Sequence, residues 1–205
     1  PLQTSIGITM LALDGRRPQT MNLKRLIEVF LTFREEVIRR RSVFLLGKAR
    51  TRAHALVGLA VAVANIDAVV QAIRAAPDAA AARQALMGRS WPARDIEPLI
   101  RLIEEEDHRI EDGQYRLSEA QARAILDMRL QRLTGLEREK IREELDALAK
   151  EIAGYLAILG SRTKLLEVLR SELVEVKERF ATPRRTRFEE FGPEADIEDL
   201  IQRED

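Results

Sequence analysis

Two long segments of the chain carry apolar residues at intervals of three and four positions, a spacing that places them on one face of an α-helix. The first segment follows Asn22, a favourable N-cap residue, and meets no strong helix breaker before Asn65. The pattern predicts a helix of about forty residues, roughly 60 Å long, with a narrow stripe for one partner helix. The stripe consists of Leu26, Phe30, Phe33, Val37, Phe44, Leu45, Ala49, Ala53, Leu56, Ala60 and Val63.

The partner helix is predicted toward the other end of the chain, where apolar residues repeat with a period close to that of a left-handed coiled coil. Thr134 and Glu137 form a predicted capping box at its start, and Pro183 ends it. Two helices of similar length with matching stripes predict a long antiparallel coiled-coil hairpin. The second stripe consists of Leu145, Leu148, Ile152, Leu156, Leu159, Leu166, Leu169, Leu173, Val176 and Phe180.

Residues 65–135 join the two long helices, so the chain must reverse its direction within them. We predict that they form a small helical globular knob at the end of the hairpin. Asp67, Asp78 and Asp95 each precede a short helical pattern and are predicted N-caps.

A second capping box, Ser118 with Gln121, predicts a further helix over residues 119–133 of the knob. This helix is apolar over much of its circumference. Two uses of its apolar surface stay open at this point: packing in the core of the knob, and contact with a second molecule.

The N-terminal end predicts a short β-hairpin. Residues 2–13 alternate between apolar and polar types, Asp14-Gly15 supplies a turn, and residues 18–21 form the returning strand. Two strands alone are only marginally stable, so we expect them to complete a sheet of a neighbouring domain. Because the chain begins within the first strand and lacks an initiator Met, we expect it to be a piece of a longer protein.

These patterns define a mainly α fold class, a coiled-coil hairpin capped by a helical knob with a short N-terminal β-hairpin. The predicted divisions are 1–22 for the β-hairpin, 23–64 for the first coiled-coil helix, 65–135 for the knob, 136–182 for the second coiled-coil helix and 183–205 for a linker toward a further domain.

The composition agrees with this fold class. Charged residues make up 33% of the chain and aromatic residues only 4%, a balance typical of long helices and unlike that of a β-sandwich or barrel. The chain has no cysteine, which excludes disulfides and thiolate zinc sites. With no signal peptide and no membrane-spanning window, we expect a cytoplasmic protein without a membrane partner.

The charges are divided unevenly although the formal net charge is zero. Residues 1–65 contain eleven Lys and Arg against four acidic residues, so this part carries +7 and the remainder −7. Such a division suggests contact with a polyanion at one end only. A solvated helix face is the alternative explanation.

The sequence contains little catalytic chemistry. Neither phosphate-binding glycine motif occurs, and His54 and His108 lack the neighbours that a metal site requires. The acidic run at 104–107 is typical of a solvated helix face. Tyr115 and Tyr155 are predicted to be packing residues, because neither has a convincing set of activating neighbours. We therefore predict no catalytic residue and no metal ligand in this chain.

Motifs in both long helices and in the knob occur together in one known family. They are the runs 21–24, 39–41, 48–50, 52–54, 64–67, 121–122, 124–130, 133–137 and 184–186. On these residues the chain resembles the A subunit of DNA gyrase, one of the type IIA DNA topoisomerases, over nearly its whole length. Residues 74–111 match poorly. The A subunit of topoisomerase IV is the close relative and stays the alternative.

The resemblance implies the end of the tower domain, the coiled coil and the exit gate, or C-gate, of the breakage-reunion subunit. Gyrase supercoils DNA by ATP-dependent double-strand passage. In that family the cleaving tyrosine lies upstream, and the ATPase and magnesium site lie on the gyrase B subunit. The resemblance thus implies no cofactor here, with ATP and magnesium needed by the whole enzyme, a heterotetramer acting on duplex DNA.

The resemblance also implies that two copies form a homodimer through their knobs. The predicted gate residues are Asn65, Ile66, Asp67, Leu117, Gln121, Ala124, Ile125, Met128 and Leu130, and a possible DNA contact is predicted at Arg39, Arg40 and Arg41. Two other interpretations remain: a general coiled-coil scaffold or tether, and autonomous DNA binding by the first helix.

Overall fold

The computed structural model describes residues 7–93, 97, 100, 113–128 and 135–186, and these residues are mainly helical. The elements in chain order are β1 (Leu11–Asp14), β2 (Arg17–Thr20), α1 (Leu23–Ala64), α2 (Ile66–Ala75), α3 (Ala79–Gly88), β3 (Ser90–Pro92), β4 (Gln114–Arg116), α4 (Glu119–Asp127), α5 (Gly135–Gly160) and α6 (Arg162–Phe180). The predicted fold class is confirmed in its mainly helical content, its long first helix and its short N-terminal hairpin.

The chain divides into two compact units, Pro1–Leu169 and Arg170–Asp205. The second unit contains the C-terminal part of α6, which has Lys177 and Arg179 in its last turn. Cations there interact favourably with the helix dipole. The helix ends at Phe180, shortly before the predicted stop at Pro183. All packing contacts described below lie within the first unit.

Strands β1 and β2 form the predicted antiparallel hairpin, with Leu11 opposite Thr20 and Asp14 opposite Arg17. Gly15 lies in the two-residue turn with φ +62°, a conformation that residues with a Cβ seldom adopt. The hairpin is shorter than predicted, since β1 begins at Leu11. Residues 2–6 of the predicted first strand lie outside the described residues.

Helix α1 begins where the sequence predicts. Asn22 has an extended backbone, and its side chain accepts a hydrogen bond from the Arg25 N–H at 2.8 Å, which satisfies one of the amide groups that a helix start leaves unpaired. The helix continues without interruption to Ala64. At Asn65 the chain turns, and the axis of α2 is bent by 94° from that of α1.

Helix α1 packs along α5 over most of the first unit, and two ion pairs define the register. Arg52 binds Glu144 of α5 at 2.7 Å, and Glu35 binds Arg162, the first residue of α6, at 2.9 Å. Residue numbers rise along α1 as they fall along the returning α5 and α6, so the returning chain is antiparallel to α1 as predicted.

The buried stripe of α1 differs from the predicted one in its N-terminal half. Ala49, Ala53, Leu56 and Val63 are buried as predicted, but Phe30, Phe33 and Phe44 are 44%, 63% and 61% exposed. The face directed at the partner helix passes instead through Ile38, Ser42 and Leu46. Both rows have helical spacing, and periodicity alone cannot tell which of them faces the neighbour.

The second long helix is interrupted, which the sequence pattern did not predict. Helix α5 ends at Gly160, and Ser161 begins α6 by accepting hydrogen bonds from the Leu165 and Lys164 amides. Leu145, Ile152 and Leu169 of the predicted stripe are buried, and Leu156 of α5 is 36% exposed. After the break, Leu165 is buried in place of Leu166, which is 37% exposed. The predicted capping box at Thr134 lies outside the described residues.

The described part of the knob contains α2, α3, the β3–β4 pair and α4. Asp78 caps α3 as predicted, with its carboxylate accepting from the Ala81 amide at 2.7 Å. Asp67 is not a cap: Asn65 precedes α2, and Asp67 lies in its first turn. The helix predicted at Asp95 falls outside the described residues except at 97 and 100.

Two features of the knob differ from the expectation. Strands β3 and β4, with Trp91 opposite Tyr115, form a small antiparallel pair that was not predicted beyond an extended segment at Tyr115. Helix α4 starts at its predicted capping box but ends at Asp127, because Met128 has an extended backbone. The predicted extension of this helix beyond Met128 lies outside the described residues.

Within the described residues, no single helix is both long and apolar enough to cross a membrane, and only the bent pair of α1 and α2 meets those criteria jointly.

Candidate dimerisation surface and the joint that supports it

The knob and the end of α1 share one hydrophobic core. Trp91 is 1% exposed, and its indole N–H donates to the Leu86 carbonyl at 2.9 Å. Tyr115 is equally buried beside it, and Tyr155 of α5 packs against the same core, so the prediction that both tyrosines are packing residues is confirmed. The core draws on α1 to α5 and on both strands of the knob.

Gln121 connects three elements at the boundary between α1 and the knob. Its side chain is fully buried, and its Oε1 accepts from the Ser118 amide at 3.0 Å. Its Nε2 donates to the His54 carbonyl and to the Tyr115 hydroxyl, both at 2.8 Å. A buried amide with satisfied donors and acceptor stabilises a unique arrangement, whereas an unsatisfied one would destabilise it.

His54 completes this connection from the side of α1. Its Nε2 lies 2.6 Å from Ser118 Oγ, and its Nδ1 lies 3.3 Å from Gln121 Nε2. Both hydrogens of Gln121 Nε2 are already donated to the His54 carbonyl and the Tyr115 hydroxyl, so the Nδ1 contact at 3.3 Å is the weakest of the three. We call the set His54, Tyr115, Ser118 and Gln121 the joint.

The joint also depends on a small residue in α1. A Cβ added at Gly58 would lie 2.6 Å from Gln121 Cβ and 2.7 Å from its Cγ. Such distances are too short for unshifted atoms, so Gly58 lets α4 approach α1 closely. The sequence predicted only the capping box of Ser118 and Gln121. No local sequence pattern indicated that these residues contact His54 or Gly58 of α1.

Three of the predicted gate residues belong to the interior of this chain. Leu117, Gln121 and Ile125 are 3%, 0% and 3% exposed. In one chain these three side chains pack inside the knob. Their assignment to the dimer contact stays a prediction.

The remaining predicted gate residues have different environments. Ile66, Ala124 and Met128 are partly exposed, and Asp67 is exposed. Asn65 has a role within the chain, since its Nδ2 donates to the Val61 and Pro92 carbonyls. Leu130 lies outside the described residues. Ile66, Asp67, Ala124 and Met128 are therefore the described positions available for contact with a second molecule.

The three consecutive arginines predicted as a DNA contact do not form one surface. Successive helical residues point about 100° apart, so Arg39, Arg40 and Arg41 face three directions. Arg40 also pairs with Glu36 at 2.6 Å. At most a part of this trio can face a single ligand.

At the other end of α1 the packing is sparse. Ile38, Leu165 and Leu169 form a small separate core, and Glu35 pairs with Arg162 nearby. The hydrogen bond from Arg162, followed by the attraction of the Arg162 and Arg39 charges, lowers the pKa of Glu35 despite the opposing effect of burial. The same hydrogen bond raises the pKa of Arg162.

Nothing in the described part of the chain suggests a reaction centre. Among these residues no group of three His, Asp or Glu side chains is arranged to hold a metal ion. An open groove along α1 is lined by Val43, Phe44, Gly47, Lys48, Thr51, Arg52 and Ala55, which offer no paired acid and base.

Comparison with known proteins gives the family. A family model that describes the A subunit of DNA gyrase/topoisomerase IV matches residues 1–174. The chain is 55% identical to the DNA gyrase A subunit of Rickettsia bellii, 50% to that of Granulibacter bethesdensis and 44% to that of Salmonella typhimurium. These alignments cover 100%, 98% and 100% of this chain but 22%, 22% and 24% of the relatives, so the chain spans about a fifth to a quarter of their length.

Proposed function

Because the chain belongs to the family of DNA gyrase and topoisomerase IV A subunits, we propose that it forms the dimerisation segment, the exit gate, of the DNA-breaking subunit of a type II topoisomerase. Two copies meet through their knobs, and the antiparallel α1–α5 arms form the walls of the space behind that contact. The chain supplies a gate and no cleavage chemistry.

The observation that best supports this proposal is the attachment of the knob to α1. The joint and the shared core hold α4 firmly against a helix of 42 residues, roughly 63 Å long. A gate needs a contact surface that is fixed to a long lever, because only then does movement of the arm separate the two surfaces. A flexible tether would need no such joint.

The whole enzyme in this proposal is DNA gyrase, a heterotetramer with the gyrase B subunit, located in the cytoplasm. It acts on duplex DNA and uses ATP and magnesium, which are bound outside this chain. Three relatives with 44% to 55% identity are all A subunits of DNA gyrase, which favours gyrase over topoisomerase IV, the second candidate.

The proposal is tested by the mass of the purified chain in solution, measured by light scattering. We expect about twice the 23.3 kDa of one chain. A double Met128→Asp, Leu130→Asp variant should give single chains with unchanged helix content, because two buried charges oppose an apolar contact. Met128 is suitable because it is only partly buried within its own chain.

The control is Val43→Asp, which places a single Asp on an exposed apolar site of α1, about 30 Å along the helix from Ala64. This variant should keep the dimer mass. A single-chain mass for the unaltered protein, or a dimer that survives the double substitution, would contradict a gate contact at this surface and favour the tether.

A further inference from the structure

The cations of α1 are not spread evenly around the helix. Arg34, Arg41, Lys48 and Arg52 are separated by seven, seven and four residues. Since each helical residue turns the direction by about 100°, these spacings bring the four side chains within roughly 40° of one another around the axis. They follow a line about 27 Å long. We call these four residues the basic stripe.

The acidic residues of α1 lie away from the basic stripe. Glu28, Glu35 and Glu36 are each displaced by about 100° or more from Arg34 around the helix. Each also has a cation close by: Arg25 at 3.9 Å from Glu28, Arg162 at 2.9 Å from Glu35 and Arg40 at 2.6 Å from Glu36. The stripe and the acids of α1 therefore occupy different faces of the helix, and each acid lies beside a cation of α1 or of α6.

An acid of the neighbouring helix reaches one end of the stripe. Glu144 of α5 binds Arg52 at 2.7 Å, and this hydrogen bond raises the pKa of Arg52. Arg41 and Lys48 are exposed and Arg34 is partly exposed. The ammonium of Lys48 lies 4.9 Å from the centre of the Phe44 ring, a favourable cation–aromatic contact at an exposed site.

A line of cations matches a partner whose charge is also arranged in a line. Duplex DNA carries a phosphate charge about every 1.7 Å along its axis, and Lys and Arg at phosphates displace condensed counterions. A helix side cannot read base edges unless it enters a groove, and phosphate contacts carry no sequence information. These chemical features fit a weak contact to phosphates that can form at any position along a duplex.

We propose that the basic stripe binds the sugar-phosphate backbone of duplex DNA, independently of sequence. The inference rests on the proposed function, in which the enzyme acts on duplex DNA and α1 forms a wall of the space behind the gate. It identifies the face of α1 that the duplex meets. The DNA contact predicted from the sequence was the run 39–41; the proposed contact keeps Arg41 and adds cations on the same face of the helix.

The test measures binding of the purified chain to two fluorescent 20-bp duplexes of unrelated sequence by anisotropy, between about 50 and 200 mM salt. Three or four phosphate contacts predict that affinity falls about 40- to 150-fold across this range and equally for both sequences. In the double variant Arg41→Ala, Lys48→Ala, the slope of log affinity against log salt should decrease in magnitude by about 1.8.

The control is Arg39→Ala, Arg40→Ala, which removes the same charge from adjacent positions on other faces. It should leave the slope nearly unchanged. Circular dichroism establishes that each variant keeps its helix content, and the single variant Lys48→Gln, with an expected decrease of about 0.9, provides a milder check. Equal losses in both double variants, or no salt-dependent binding by the unaltered chain, would overturn the proposal.

A competitor separates DNA from acidic proteins. Polyglutamate at the same concentration of charge should displace the duplex poorly; displacement as effective as that by unlabelled duplex would reject DNA as the partner. Light scattering on the same samples gives the oligomeric state. If the chain has a single-chain mass but the Arg41→Ala, Lys48→Ala variant still lowers the salt slope, only the gate is contradicted. If the chain is a dimer but that variant does not change the salt slope, only the DNA contact is contradicted.

Discussion

The two ends of α1 contain similar apolar residues and use them differently. From Ala53 to Val63 the helix packs into a core shared with α4 and α5, and most of its apolar side chains are buried. From Leu23 to Phe44 six large apolar side chains are 44–63% exposed, and Ile38 is the fully buried one. Burial along one helix is thus decided by how many neighbours surround each part of it.

The polar interactions differ in the same way. At the knob end the joint is buried, and its hydrogen bonds connect elements distant in sequence. At the other end, Glu35 and Arg162 form an ion pair with the Arg162 side chain 73% exposed. Exposed pairs contribute little because water screens them, so we expect the knob end to hold most of the stability.

The largest expected effect compares one buried side chain from each core. Ile152 and Leu165 are both 1% exposed, but Ile152 belongs to the large core and Leu165 to the three-residue one. Ile152→Ala should lower the free energy of unfolding by about 4 kcal/mol and Leu165→Ala by about 2 kcal/mol, because a sparsely surrounded site relaxes more easily. Urea denaturation followed by circular dichroism measures both; equal losses would remove the distinction between the two ends.

The next effect tests the joint. Gln121→Leu should lower the free energy of unfolding by about 2–3 kcal/mol, because the Ser118 amide, the His54 carbonyl and the Tyr115 hydroxyl all lose this buried partner. The control is Gln84→Leu on the exposed side of α3, which should change stability by less than about 0.5 kcal/mol. Similar values for the two variants would show that the joint contributes nothing beyond its apolar contacts.

The smallest effect concerns pH at the sparse end. The pKa of Glu35 is lowered in the folded chain. On acidification, Glu35 therefore binds a proton more readily in the unfolded chain than in the folded chain. The contribution of the pair is complete above the ordinary value of 4.5 and is lost as the pH falls through the lowered one. The difference in unfolding free energy between the unaltered chain and Glu35→Gln should shrink below pH 4.5; a difference that grows on acidification would contradict this assignment.

The sequence by itself determined the features that depend on local interactions. Asn22, Asp78 and Ser118 are N-caps because a side-chain oxygen satisfies an amide three residues later. The helical spacing of apolar residues predicted the existence and near-complete extent of α1, and Asp14-Gly15 predicted the hairpin turn.

Only the tertiary structure decided which apolar residues are buried. Phe44 and Leu46 both fit a helical stripe, and the position of the partner helix selects Leu46. The interruption at Ser161 likewise brings Leu165 to the interface in place of Leu166. The joint was equally inaccessible to local patterns, because His54 and Gln121 are 67 residues apart and meet only after the chain has reversed. Periodicity defines a face for each helix, but long-range packing determines what that face contacts.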